Sequence, residues 1–141
     1  MTKESTTPDL VELGRAWIEA DSYDEWLALA EGFLAPDIVW DLGGALGSIK
    51  GKAAILDFVK EYWATWEDHH HYAEEVLDLG HGVMFWIVRE HGRLKGSDAY
   101  VETRNAWLSL VGVDGRVVRS TTYKDIDEAR AAAERLAQER G

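Results

Sequence analysis

A carboxylate at the end of an apolar run is the first group in this chain equipped for chemistry. In Asp37-Ile38-Val39-Trp40-Asp41 a short strand ends on Asp41. Gly43, Gly44 and Gly47 follow and loosen the backbone, so that a ligand can approach it. An aspartate in an apolar surround has its charged form disfavoured, and its pKa rises toward that of a working general base. Aspartates at strand ends also cap loop amides, here at Gly43 or Gly44. Both roles stay open at this point.

Seven tryptophans in 141 residues favour an aromatic-lined cavity for such a group to face. Strand alternation selects its walls. If Trp107 points inward, so do Thr103 and Asn105, while Arg104 points out to a dimer contact or a salt bridge. Thr122 takes Val118 and Ser120 with it, and Met84, Trp86, Val88 and Glu90 share one side of another strand. Helical spacing aims Trp17, Phe58 and Tyr62 the same way. The expected ligand-binding set is therefore Trp17, Phe58, Tyr62, Met84, Trp86, Asn105, Trp107 and Thr122. Trp17 and Trp107 serve either as ligand-facing donors or as core. Asn105 either orients a ligand or satisfies a neighbouring backbone group.

His69-His70-His71 invites a metal reading. In a strand His69 and His71 share a face, but a site needs three or four convergent ligands, and no chelating spacing elsewhere supplies them. The run is expected to be a solvated strand entrance, with no metal and no cofactor. His81 and His91 fall in expected turns. The chain has no cysteine, which excludes disulfides, thiol catalysis and zinc-thiolate sites.

The elements that position these groups follow from periodicity. Residues 1–8 are expected to be a disordered N-terminus, with Thr7 and Pro8 as the start of a helix carrying Leu10, Leu13, Trp17 and Ala20. Ser22-x-x-Glu25 is a capping box for a second helix, which must end before Pro36. After the strand at 37–42, a third helix carries Ile55, Phe58, Val59, Tyr62 and Trp66 on one side. The period then changes. Tyr72 to Leu79, Val83 to Glu90, Tyr100 to Val111 and Arg116 to Tyr123 are β-branched and aromatic runs, and Asp114-Gly115 marks a hairpin. Asp125-x-x-Glu128 caps a last helix. Residues 9–141 are read as a single α+β domain: a curved, mostly antiparallel sheet wrapped as a cone around three helices, plus a C-terminal helix.

Composition limits the partners. A formal net charge of −11 argues against nucleic acid, whose binding needs a clustered basic face. No apolar run reaches the roughly 20 residues that span a bilayer, so no membrane partner is expected. The polar start of the chain lacks the apolar stretch of an export signal, which fits the cytoplasm.

Helix, helix, strand, loop and helix followed by a long meander resembles the NTF2-like (cystatin-like α+β) superfamily. APDIVWDL, GKAAILDFV, VLDLGHGVMF and YKDIDEARAAAERLAQERG are similar to a bacterial SnoaL-like group within it. Among its catalytic relatives, the ketosteroid isomerases, the resemblance puts the general-base aspartate on Asp41. It puts their two oxyanion donors on Trp17 and Trp107, where an indole N–H can still donate but is a poorer acid. The Arg-x-Asp pair and final aspartate of the epoxide hydrolases fall on Val88, Glu90 and Thr122, which argues against that activity. Polyketide cyclases use an acid late in the last strand, where Ser120, Thr121 and Thr122 offer only hydroxyls.

The expected function is a cytoplasmic homodimer, paired through the outer sheet face, that holds an apolar or aromatic small molecule. Its chemistry, if it is an enzyme, is cofactor-independent proton transfer of isomerase, cyclase or lyase type with Asp41 as base. The alternative is a non-catalytic ligand-binding or dimeric interaction protein of the same fold.

Overall fold

Asp9 opens the first helix, α1 (Leu10–Ile18), its side chain accepting from the amides of Val11 and Glu12 at 3.0 and 3.3 Å. The computed structural model describes residues 9–43 and 46–141. The expected start at Thr7 and Pro8, with segment 1–8, lies outside the described residues. α2 (Tyr23–Phe33) is capped as expected by Ser22, whose Oγ accepts from Glu25 N at 3.1 Å. The Glu25 carboxylate reaches back to the Asp21 amide, one residue before the usual partner.

Strand β1 (Leu34–Asp41) follows α2 directly. Proline has no N–H to give a ladder, and Pro36 lies where the pairing of β1 shifts register, between Leu34 and Val39. A three-residue strand, β2 (Ser48–Lys50), pairs antiparallel with β1 where only loop was expected. Helix α3 (Lys52–Ala64) then buries Ile55 and Val59.

Trp66 is not on α3. The helix ends at Ala64, where Thr65 Oγ1 donates to the Tyr62 carbonyl at 2.6 Å, and Trp66 begins strand β3 (Trp66–Asp78). β3 is six residues longer at its start than the expected run from Tyr72. It pairs along its length with β4 (Val83–Leu94), from Trp66 opposite Leu94 to Asp78 opposite Met84. His91 and Gly92 therefore belong to a strand, not to a turn. Gly92 is required there: a Cβ would lie 1.8 Å from the Asp68 carbonyl oxygen. β5 (Tyr100–Val111) and β6 (Val117–Tyr123) complete the meander, and Asp125 caps α4 (Ile126–Arg140).

The six strands run in the order β2-β1-β6-β5-β4-β3, antiparallel except for the β1–β6 pair. Alternation along β4 divides the core. Met84, Trp86 and Val88 face α1, α2 and α3, whereas Val83, Phe85 and Ile87 lie under Ala129, Ala133 and Ala137 of α4. Small residues on α4 let it lie close against the sheet. Arg104 is on this outer side and forms an ion pair with Glu74. Among the described residues no helix is long and apolar enough to cross a membrane.

Candidate functional site

A cavity of about 540 Å³ lies between the inner face of the sheet and the first three helices. Its walls are mostly rings. Trp17 stacks on Trp26 with centroids 5.5 Å apart, Trp107 lies 6.2 Å from Trp17, and Trp40 lies 5.6 Å from Phe58. Three exposed apolar side chains that line it, Leu46, Phe58 and Tyr62, mark its mouth beside α3. Trp40 holds its place by donating from Nε1 to Thr122 Oγ1 at 2.9 Å.

Of the residues expected to line a pocket, Trp17, Phe58, Tyr62, Asn105, Trp107 and Thr122 come together here. Met84 and Trp86 do not. Both are fully buried beneath the cavity, where Trp86 Nε1 donates to Ser109 Oγ at 3.0 Å and the ring lies against Gly14. They are floor, not lining. The Trp17 ring lines the cavity, but its Nε1 is buried without a partner, so that N–H does not open toward a ligand. Asn105 brings an amide to the cavity wall.

Asp41 lies elsewhere, and this corrects its expected role. Ile38, Trp40 and Leu42 line the cavity, so alternation turns Asp41 to the opposite face of the sheet. There its carboxylate accepts from Ser48 Oγ, from Arg119 Nε at 2.9 Å and from Thr121 Oγ1 at 3.2 Å. Arg119 completes the ion pair at 2.7 Å. Burial alone would raise this carboxyl, but the bonds from Ser48 and Arg119, the Arg119 charge and Thr121 outweigh it and lower the pKa. A carboxylate so satisfied is a poor base. Nor does it cap Gly43; Gly44 lies outside the described residues.

The acid in the cavity wall is Glu90, reached by the same alternation that places Val88. Its Oε2 meets the Nε2 atoms of both His69 and His71 at 2.7 Å, and Tyr62 Oη donates to Oε1 at 2.6 Å. Burial pushes the Glu90 carboxyl up, but the two imidazoles and the phenol overcome it and hold it far below the usual carboxylate range. Burial, reinforced by the Glu90 charge, lifts the Tyr62 phenol well above its ordinary value.

His69 and His71 thus contradict the expected solvated strand entrance. Their side chains are only 4% and 15% exposed, and the His69 ring stacks on Trp66 at 4.3 Å. Only His70 points to solvent, beside Asp68. The available signal was parity counted back from the buried Ala73: His71 and His69 alternate with it on the inner face, His71 opposite Glu90 and His69 opposite Gly92, while a register shift sets Trp66 out of step.

No family model matches the sequence, and no curated protein matches it. Solved structures do match. An NTF2-like protein from Exiguobacterium sp. 255-15 superposes with a TM-score of 0.67 at 15% identity, covering 82% of this chain and 98% of that one. RV0760c from Mycobacterium tuberculosis, in complex with estradiol-17β-hemisuccinate, gives 0.64 at 22% identity over 86% and 97%. A protein of the SnoaL-like polyketide cyclase type from Shewanella denitrificans OS-217 gives 0.65 at 14% identity over 92% and 98%. At such identities the likeness is one of fold. The chain has the NTF2-like, cystatin-like α+β fold that its element order and motifs resemble.

Proposed function

We propose that this NTF2-like chain binds one apolar or aromatic small molecule in the ring-walled cavity, with the molecule's polar group against His71 and Asn105. The observation that carries the reading is the cavity itself. About 540 Å³ falls within the roughly 300–1,000 Å³ of small-molecule sites, and few polar groups interrupt its apolar walls. The estradiol derivative held by RV0760c supports a ligand of that size and character in this fold.

The chemistry available there is proton transfer. His71 lines the cavity and turns Nε2 to Glu90. An imidazole oriented by a carboxylate in this way can move a proton at a bound ligand. Glu90, saturated with donors, orients rather than accepts. The reaction class is isomerisation, cyclisation or elimination. Binding without chemistry is the second reading, favoured by the departure of Asp41 from the cavity and by the low basicity of Glu90.

The test uses the chelator-treated chain. Titration with a panel of steroids and naphthyl compounds, followed by tryptophan fluorescence, is expected to show one site per chain. Phe58→Asp, a change at the exposed mouth, should weaken it tenfold or more. A panel with no saturable binder sinks the proposal. Deuterium uptake from solvent into a bound enolisable ketone then separates the two readings: the catalytic one requires uptake by the wild type that is lost in His71→Gln.

A further inference from the structure

His69, His71 and Glu90 are arranged for more than hydrogen bonding. We propose that His69 Nε2, His71 Nε2 and a Glu90 carboxylate oxygen form a binding site for a divalent first-row transition-metal ion, open on its cavity side. This goes beyond the ligand-binding reading, which stands with or without an ion. It also reverses the expectation of no metal, which rested on the lack of a third ligand; Glu90 is that ligand.

Four features of the geometry support it. One ligand atom from each of the three residues lies within 4.8 Å of the other two, and each imidazole nitrogen is already 2.7 Å from the carboxylate oxygen. An ion about 2.1 Å from each ligand, in octahedral arrangement, sets neighbouring ligands about 3.0 Å apart, so small side-chain shifts admit it. All three residues stand on paired strands, with His71 directly opposite Glu90, so their separation is set by the β3–β4 ladder rather than by a loop.

The side chains are also held from behind. The His69 ring is stacked on Trp66 and edged by Trp63 at 5.1 Å. Tyr62 and, at 3.4 Å, Thr103 bind the other Glu90 oxygen, the outer-shell support that orients metal-bound carboxylates. Finally, the open side is the useful one. His71 and Glu90 line the cavity, so the remaining coordination positions face the space where a small molecule would lie. Two imidazoles and one carboxylate suit zinc, iron(II), cobalt, nickel or manganese better than magnesium or calcium. A bound ion would replace the two N–H···O bonds and add a Lewis acid to the cavity wall.

The experiment is metal titration of the full chain, freed of any histidine tag and stripped with chelator. Zinc binding is followed by calorimetry, and cobalt(II) binding by visible absorption. The expected result is one ion per chain at micromolar or lower dissociation constant, weakened at least tenfold in His71→Gln and in Glu90→Gln. His70→Gln, altering the exposed neighbour, should bind as the wild type does. His69→Gln provides a third ligand variant should either of the others fail to fold, judged by circular dichroism. No saturable uptake below millimolar metal, or uptake undiminished in the folded ligand variants, overturns the site. So does uptake lost in His70→Gln. Because small-molecule binding is measured on stripped protein, either proposal can fail while the other survives.

Discussion

His71 and Glu90 sit directly opposite each other across the β3–β4 ladder, nitrogen to oxygen at 2.7 Å, in a wall otherwise built of rings. A second imidazole, His69, and the Tyr62 hydroxyl converge on the same carboxylate, which makes Glu90 the centre of the polar end of the cavity.

Removing that centre should therefore be destabilising out of proportion to its size. Glu90→Leu is close in size but leaves two imidazole nitrogens and a phenol without their acceptor. Each buried group left unsatisfied costs about 1–3 kcal/mol, and partial access to the cavity reduces this for Tyr62 and His71. Urea denaturation of the metal-free protein should show a loss of at least about 1 kcal/mol. A variant as stable as the wild type would mean that the cluster is not formed in solution.

Asp41 makes the opposite prediction for function and a specific one for pH. Its folded pKa lies below the ordinary 3.8, so the native state binds this proton less readily than the unfolded chain does. The contribution to stability is then full above the unfolded value and is lost as pH falls through the folded one. Asp41→Asn should flatten the acid limb of the stability curve below about pH 4, measured by denaturation at a series of pH values. Small-molecule binding should be unchanged, because the side chain is on the other face of the sheet. A variant with intact acid sensitivity but lost binding would return Asp41 to the site.

The contrast between these two acids shows what the sequence could and could not convey. Caps and turns were readable because they are local: Ser22, Asp125 and Asp114-Gly115 do what their types dictate. The face of Asp41 was readable too, since Ile38 and Trp40 turn inward and parity sends their odd-numbered neighbour out. The resemblance to an isomerase base pointed against that parity, and the parity prevails. The start of β3 was harder. Trp66-Glu-Asp-His-His-His-Tyr lacks the apolar alternation of a strand because a register shift between Trp66 and Asp68 breaks the period and the inner positions that follow, His69 and His71, are polar. Polar groups turned into a cavity erase the very pattern by which a buried strand is recognised, so the segment that carries the polar site was the least legible. β2 is too short, and too exposed, to leave any pattern at all.

The floor of the cavity can be probed without touching its walls. Trp86 is fully buried, and its ring occupies the space beside Gly14, where an added Cβ would lie 2.4 Å from two ring carbons. The ring is held by Ser109, Phe33 and Trp17, so it cannot simply swing away. Gly14→Ala should consequently destabilise by about 1–3 kcal/mol through overpacking, despite the better helix propensity of alanine. Gly32, in α2, is the matched control: a Cβ there meets nothing within 4 Å. Gly32→Ala should stabilise by up to about 1 kcal/mol. Opposite signs for two identical substitutions in neighbouring helices, read from urea midpoints at constant slope, would locate Trp86 under α1. Equal and favourable shifts would show that the ring lies elsewhere and that the cavity has a different floor.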